Sequence, residues 1–214
     1  MSLTAYLAQL NQAINREDGK QLCSLFALNG PGLEYAMQLS YRSAAVPTAE
    51  VNRQMGAWSG IVMGYLQAMV HASRGDKLHA CQEFREKHAR GLLGLISEQP
   101  WVLPAVIGTA STLRVLSAKV DDDLLRRGGT ITNSQLAQCA MMLQSIFAKT
   151  AAAKGQDADQ RKAAAVAIGC IMFKVYFRLN TLTNCKNVVK TIDDTLKIFD
   201  TAQLCHKVTF RYYT

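Results

Sequence analysis

Histidine and cysteine residues come close together at two places in the chain, where they could form a metal site or a nucleophile and base pair. His79, Cys81 and His88 fall within one helical segment. Their spacing points them in different directions, and no second pair completes a set of four zinc ligands. Cys205 and His206 are adjacent, so on a helix they point about 100° apart and cannot work together. We therefore expect no metal, no cofactor and no catalytic residue, and an enzyme built on cysteine and histidine is the less favoured alternative.

The other polar candidates also fit structural roles. The cysteines are scattered without a C-x-x-C pair, at positions where a helical pattern takes a small apolar residue, which predicts reduced thiols. The run Asp121-Asp122-Asp123 could hold a cation, but an acidic run at a helix end is usually solvated. No phosphate-binding glycine loop or serine elbow occurs in the sequence.

Positive charge is concentrated in one part of the chain. Residues 1–123 contain 11 basic and 11 acidic residues, whereas residues 124–190 contain ten basic and two acidic. Four of the basic residues stand in pairs four positions apart: Lys174 with Arg178, and Lys186 with Lys190. These four are the candidate contact residues for nucleic acid or an acidic partner. No aromatic residue is expected among them on an exposed face, which disfavours base stacking.

The elements that carry these basic residues form a helical hairpin. Residues 159–179 are apolar nearly all round, which is typical of an internal helix. After a break at Asn180 and Thr181, the residues Cys185, Val188, Val189 and Ile192 follow helical spacing. The sequence therefore predicts a second helix that folds back on the first.

Helical periodicity also accounts for most of the remaining chain. Ser2 is placed to cap a first helix, Thr48 to cap the helix over 50–72, and Asn133 or Ser134 to cap one that stops near Gly155. Further helices are predicted around 22–26, 33–41, 78–95, 101–125 and 201–213. The chain thus predicts an all-α fold: an α-solenoid of divergent TPR-like helical hairpins, forming a single helical-repeat domain over 1–214.

Three glycines stand four residues apart in the helix over 50–72: Gly56, Gly60 and Gly64. In a membrane this spacing would suggest a dimerising span, but the apolar stretch is too short. Small residues that let a neighbouring helix approach closely are the favoured interpretation. Without a signal peptide or a run of 18 apolar residues, we expect a soluble intracellular protein with no membrane insertion.

The sequence resembles the PCI domain-containing protein 2 family of nuclear mRNA-export subunits. The resemblance rests on the runs IMFKVYFRLN at 171–180, KVTFRYY at 207–213, WVLP at 101–104 and LRV at 113–115, and on earlier stretches around 6–19. It covers most of the chain and is tightest from Trp101 onward.

This resemblance implies a non-enzymatic scaffold subunit of a complex that couples transcription to export at the nuclear pore. The implied partners are a large mRNA-export scaffold protein and a small acidic proteasome-lid protein, with RNA or DNA binding through the full-length protein. The implied location is the nucleus, at the nuclear pore, and also the cytoplasm. By the same resemblance, we expect the chain to stop at Thr214 within the helical repeats and to lack the family's winged helix. A signalosome-associated or proteasome-lid-like PCI subunit is the alternative.

The last predicted helix is amphipathic, with Leu204, Val208 and Tyr212 in one stripe and Phe210 beside it. We expect residues 201–214 to pack by one face onto the helix over 182–192. The other face would then stay exposed and favour self-association, because a solenoid needs a polar terminal unit.

Overall fold

The computed structural model describes residues 1–130, 132–155, 157–193 and 203–213, and no strand occurs within these ranges. The predicted all-α class is therefore confirmed. The α-helices are α1 (Leu3–Asn15), α2 (Gly19–Leu25), α3 (Pro31–Tyr41), α4 (Thr48–Met55), α5 (Ser59–Ser73), α6 (Lys77–Glu83), α7 (Arg90–Leu95), α8 (Leu103–Arg126), α9 (Gln135–Ala151), α10 (Ala158–Arg178), α11 (Leu182–Asp193) and α12 (Leu204–Tyr213). A π-helical segment, Phe84–Ala89, joins α6 to α7.

Local sequence sets several of the helix starts. The Ser2 hydroxyl accepts a hydrogen bond from the Ala5 amide, as the sequence predicted. Of the two predicted caps Asn133 and Ser134, it is Ser134 whose hydroxyl accepts a hydrogen bond from the Ala137 amide. Thr48 differs from its prediction. It is the first residue of α4 rather than its cap, and its hydroxyl donates to the Val46 carbonyl oxygen.

The helix predicted over 50–72 is interrupted. Gly56 has a φ of +50°, and the chain passes through a short 3₁₀ turn, Gly56–Trp58, before α5 begins. A residue in the left-handed region ends a right-handed helix, and glycine occupies that region at little cost. The prediction of one uninterrupted helix over 50–72 was therefore wrong, because a glycine inside a helical pattern does not by itself reveal a break.

Gly64 supports the close-approach interpretation of the glycine spacing, and Gly60 does not. A Cβ at Gly64 would lie 2.5 Å from Lys87 Cβ and 2.7 Å from the His88 backbone nitrogen, whereas a Cβ at Gly60 would meet nothing within 4 Å. The absence of a side chain at Gly64 thus lets the π-helical segment lie directly against α5.

Successive helices pack against one another to form a solenoid-like stack. α5 packs on α3 and α6, α8 on α9, α9 on α10, and α10 on α11. α8 also contacts α2, α6 and α10, so it lies at the centre of the stack. Within the described residues, this helix is long and apolar enough by length and composition to cross a membrane, but more than half of its apolar stretch is buried inside the fold. α8 is thus built as a core helix.

The acidic run near the end of α8 joins three other helices. Asp121 is buried and accepts hydrogen bonds from the Ser134 hydroxyl and from the amides of Gln135 and Leu136, which caps α9. Asp122 pairs with Arg178 on α10, and Asp123 pairs with Lys77 on α6. The expectation of a merely solvated run was therefore wrong, because the fold brings α6, α9 and α10 to the end of α8.

Candidate interaction surface on the last three helices

The predicted hairpin of α10 and α11 is present in the structure. Asn180, with a φ of +55°, turns the chain, and the Thr181 amide donates to the Tyr176 carbonyl oxygen at 2.9 Å. Gly169 lies at the helix contact, since a Cβ there would come within 2.8 Å of Ile192 and 3.2 Å of Val188. The two helices therefore pack closely through the residues that the sequence predicted.

The two candidate basic residues of α10, Lys174 and Arg178, lie away from α11. Arg178 follows Gly169 by nine residues, about two and a half turns, so it lies on the opposite side of α10. There it forms the ion pair with Asp122 of α8. Lys174 is exposed on the flank nearer α12. Burial lowers the pKa of His206 on α12, and the Lys174 ammonium lowers it further.

The basic residues of α11 stand apart from that pair. Lys186 and Lys190 are exposed, one turn apart, and neither forms an ion pair with any residue that the structure describes. The structure thus divides the four predicted contact residues into two pairs on different sides of the hairpin. Their contact with nucleic acid or an acidic partner stays a prediction.

Lys186 and Lys190 border an apolar groove of about 510 Å³. The other lining residues are mostly apolar: Phe177, Leu182, Cys185, Val189, Tyr213 and, at one end, Asp193. Phe177 is 46% exposed, and its ring centroid lies 4.6 Å from that of Tyr213. The expectation that no exposed aromatic residue lies near the basic residues was therefore wrong. The signal was present in the sequence, because Phe177 lies between Lys174 and Arg178 and one turn from Phe173.

α12 forms one wall of this groove and packs on α10. Phe210 is buried, with its ring 5.7 Å from that of Phe173, and Tyr213 lies against Phe173 and Phe177. The principal contact of α12 is thus with α10 rather than with the helix over 182–192, because the aromatic pair on α10 offers a complementary surface. The remaining parts of the predicted segment, 201–202 and 214, lie outside the described residues.

The stripe that the sequence singled out on α12 lies on its exposed side. Leu204 is 75% exposed, Val208 61% and Tyr212 80%. These side chains follow one another at intervals of one turn and form an exposed apolar stripe along α12. The described helices α10, α11 and α12 therefore carry exposed apolar side chains with basic residues at their edges.

The histidines that could do chemistry are held in structural roles. His88 is fully buried between Ile61 and Thr109: its Nδ1 lies 3.1 Å from the Ile61 carbonyl oxygen, and its Nε2 lies 3.1 Å from the Thr109 hydroxyl. Burial lowers the pKa of His88 to about 4, so it is neutral at pH 7. His79 lies on the surface, where its Nδ1 is 2.8 Å from Asp76.

The buried cysteines are equally unsuited to catalysis. Cys81 lies 3.3 Å from the Ser117 hydroxyl, and burial raises the pKa of the Cys139 thiol to about 12. A thiol with such a pKa carries no thiolate at neutral pH and is a poor nucleophile. Across the described ranges, no group of three or more histidine, cysteine or acidic residues could hold a metal ion.

No family model matches the chain. It is 27% identical to Enhanced ethylene response protein 5 of Arabidopsis thaliana, over 99% of this chain and 51% of that protein. It is 23% identical to PCI domain-containing protein 2 of Xenopus laevis, over 100% of this chain and 53% of that protein. Protein CSN12 homolog of Neurospora crassa is 26% identical over 75% of this chain.

The chain spans about half the length of the curated relatives that it matches along its whole length. The matched region spans the whole of this chain and therefore the residues that form the helical hairpin and the groove described above. The chain is thus similar over its full length to PCI domain-containing proteins, which confirms the family resemblance that the sequence indicated.

Proposed function

We propose that the chain is a non-catalytic scaffold subunit of a nuclear mRNA-export complex that couples transcription to export at the nuclear pore. The observation that carries this proposal is the full-length similarity to PCI domain-containing protein 2 of Xenopus laevis and Danio rerio. A stack of helices with an exposed apolar and basic end suits a subunit that holds other proteins together. The buried histidine and cysteines, held by internal hydrogen bonds, support a non-catalytic role.

The partners in this proposal are a large mRNA-export scaffold protein and a small acidic proteasome-lid protein. The segment between residues 124 and 190, with ten basic and two acidic residues, suits an acidic partner or a nucleic acid. In the cell the protein would lie in the nucleus, at the nuclear pore, and also in the cytoplasm. Imaging of a fluorescent fusion tests this location, and exclusion from the nucleus would contradict it.

A signalosome-associated PCI subunit is the second candidate. It is favoured by the similarity to Protein CSN12 homolog of Neurospora crassa, which covers three quarters of this chain. Both candidates are scaffold roles on the same kind of fold, so they differ in the proteins that bind to the chain.

Affinity purification of the tagged protein from its own cells, followed by mass spectrometry, separates these candidates. We expect to recover the large mRNA-export scaffold protein together with the small acidic proteasome-lid protein. Recovery of signalosome subunits in their place would favour the second candidate. A protein that purifies alone under mild salt would contradict both.

A further inference from the structure

The groove between α10, α11 and α12 combines an apolar floor with a charged edge. Leu182, Cys185 and Val189 come from α11, and Phe177 and Tyr213 close the opposite side. Leu182 and Phe177 are each nearly half exposed, so apolar area that could be buried remains in contact with water. Covering this area would be favourable at about 25 cal/mol per Å².

The charges of the groove are arranged along its length. Lys186 and Lys190 are exposed, unpaired within the described chain and one helical turn apart. Asp193 lies at the end of the groove that is formed by the C-terminus of α11. An occupant that complements this pattern carries two acidic groups one turn apart, with a positive end near Asp193. A helix supplies all three features, because its N-terminus carries a partial positive charge.

Two other occupants fit the groove less well. A single-stranded nucleic acid would find two aromatic rings in the groove lining, Phe177 and Tyr213, but the floor supplied by α11 is aliphatic, and Asp193 repels phosphate. A second copy of this chain would bring further positive charge to the lysines, because the formal net charge is +8.

We propose that this groove binds an amphipathic helix of a partner protein, with two acidic residues one turn apart that pair with Lys186 and Lys190. The proposal rests on the scaffold function and names the chemistry of one partner of that scaffold. The occupant lies antiparallel to α11, with its N-terminus near Asp193. The 12 residues of α11 extend for about 18 Å, which corresponds to a helix of about three turns.

A designed peptide tests this proposal on the 214-residue chain. The probe is a blocked peptide of about 15 residues, cross-linked to hold it helical because isolated helices of this length are marginal in water. It carries leucines on one face and two glutamates four residues apart at the edge of that face. A second peptide has lysines in place of the glutamates, and binding is followed by fluorescence anisotropy.

We expect the glutamate peptide to bind and the lysine peptide to bind much more weakly. Lys186→Glu with Lys190→Glu should weaken binding of the glutamate peptide by about tenfold or more and should reverse the preference between the peptides. Leu182→Gln should weaken binding of both peptides because it removes apolar area from the groove. The matched control changes two exposed lysines elsewhere, Lys20→Glu with Lys119→Glu, and should leave binding unchanged. Circular dichroism verifies that each variant is folded.

Equal binding of the two peptides to the unaltered chain would overturn the proposal, and so would no binding at all. It would also be overturned if single-stranded oligouridine bound more tightly than the glutamate peptide and were lost in the same double variant. These outcomes leave the scaffold function standing if affinity purification still recovers a complex. Conversely, a protein that purifies alone would overturn the scaffold function, whatever the peptide result.

Discussion

At the scale of single residues, His88 shows how burial converts a titratable group into a determinant of stability. Its pKa is lowered to about 4 in the fold, against about 6.5 in the unfolded chain. As the pH falls through this window, the unfolded chain takes up a proton that folded His88 does not. Stability should therefore be intact above pH 6.5 and should decline by about 3 kcal/mol on approach to pH 4.

Chemical denaturation at several pH values measures this decline. His88→Gln should lower stability at pH 7, because it disturbs the hydrogen bonds to Ile61 and Thr109, and should flatten the pH dependence. His79→Gln is the control, since His79 is exposed. An unchanged pH dependence in the His88 variant would show that other groups cause the acid sensitivity.

The acidic run on α8 offers a second comparison between neighbouring residues. Asp121→Ala removes a buried carboxylate that accepts hydrogen bonds from two amides and a hydroxyl, and should cost about 2–3 kcal/mol. Asp122→Ala removes a partly exposed ion pair and should cost less than about 1 kcal/mol. Urea unfolding measures the free energy of unfolding of both variants, and equal losses of stability would show that Asp121 does not cap α9.

At the scale of elements, Gly60 and Gly64, which stand four residues apart on α5, have opposite roles. Gly64→Ala should destabilise the protein by about 1–3 kcal/mol, because the added Cβ would overlap with Lys87 and the His88 backbone. Gly60→Ala should be neutral or stabilise by up to about 1 kcal/mol, because its Cβ would meet open space and alanine favours a helix. Thermal unfolding compares them, and similar melting temperatures for both variants would contradict the close contact.

The helices themselves could be predicted from sequence, whereas their relative rotation could not. The apolar spacing of Cys185, Val188 and Ile192 identified α11, and Ser2 and Ser134 identified two helix starts. The division of the basic residues follows from the angle around α10, which places Arg178 opposite Gly169. The sequence gives this angle, but it predicts where Arg178 lies only once the face of α10 that packs on α11 is known. The break at Gly56 was missed for a related reason, since a positive φ is set by tertiary packing.

The two basic pairs should contribute unequally to any nucleic-acid binding. Changing Lys174, Arg178, Lys186 and Lys190 together to Glu should weaken RNA or DNA binding steeply, and affinity should fall as salt rises. When each pair is changed separately, the pair on α11 should reduce the affinity more than the pair on α10, because Arg178 is already paired with Asp122. Fluorescence anisotropy with a single-stranded oligonucleotide measures the affinity of each variant. A quadruple variant that binds as well as the unaltered chain at low salt would contradict the prediction that these residues contact nucleic acid.

At the scale of the whole molecule, the stack has a core that runs continuously from Leu3 on α1 to Phe210 on α12. α8 holds the stack together through apolar contacts along its length and through its acidic run near one end. The apolar side chains at the α12 end differ from those of the core because no described helix covers them. Packing of a further helix, or of another molecule, against this end would therefore bury new apolar area.

The exposed stripe on α12 should make the chain self-associate weakly. Leu204, Val208 and Tyr212 form an apolar surface that a second molecule can cover, while the net charge of +8 opposes the approach. Salt screens this repulsion, so the average mass measured by light scattering should rise with both protein and salt concentration. Leu204→Gln with Val208→Gln should hold the protein monomeric. Met141→Gln, at an exposed methionine on α9, is the control and should leave association unchanged. A chain that stays monomeric at high protein and salt concentration would show that the stripe drives no association.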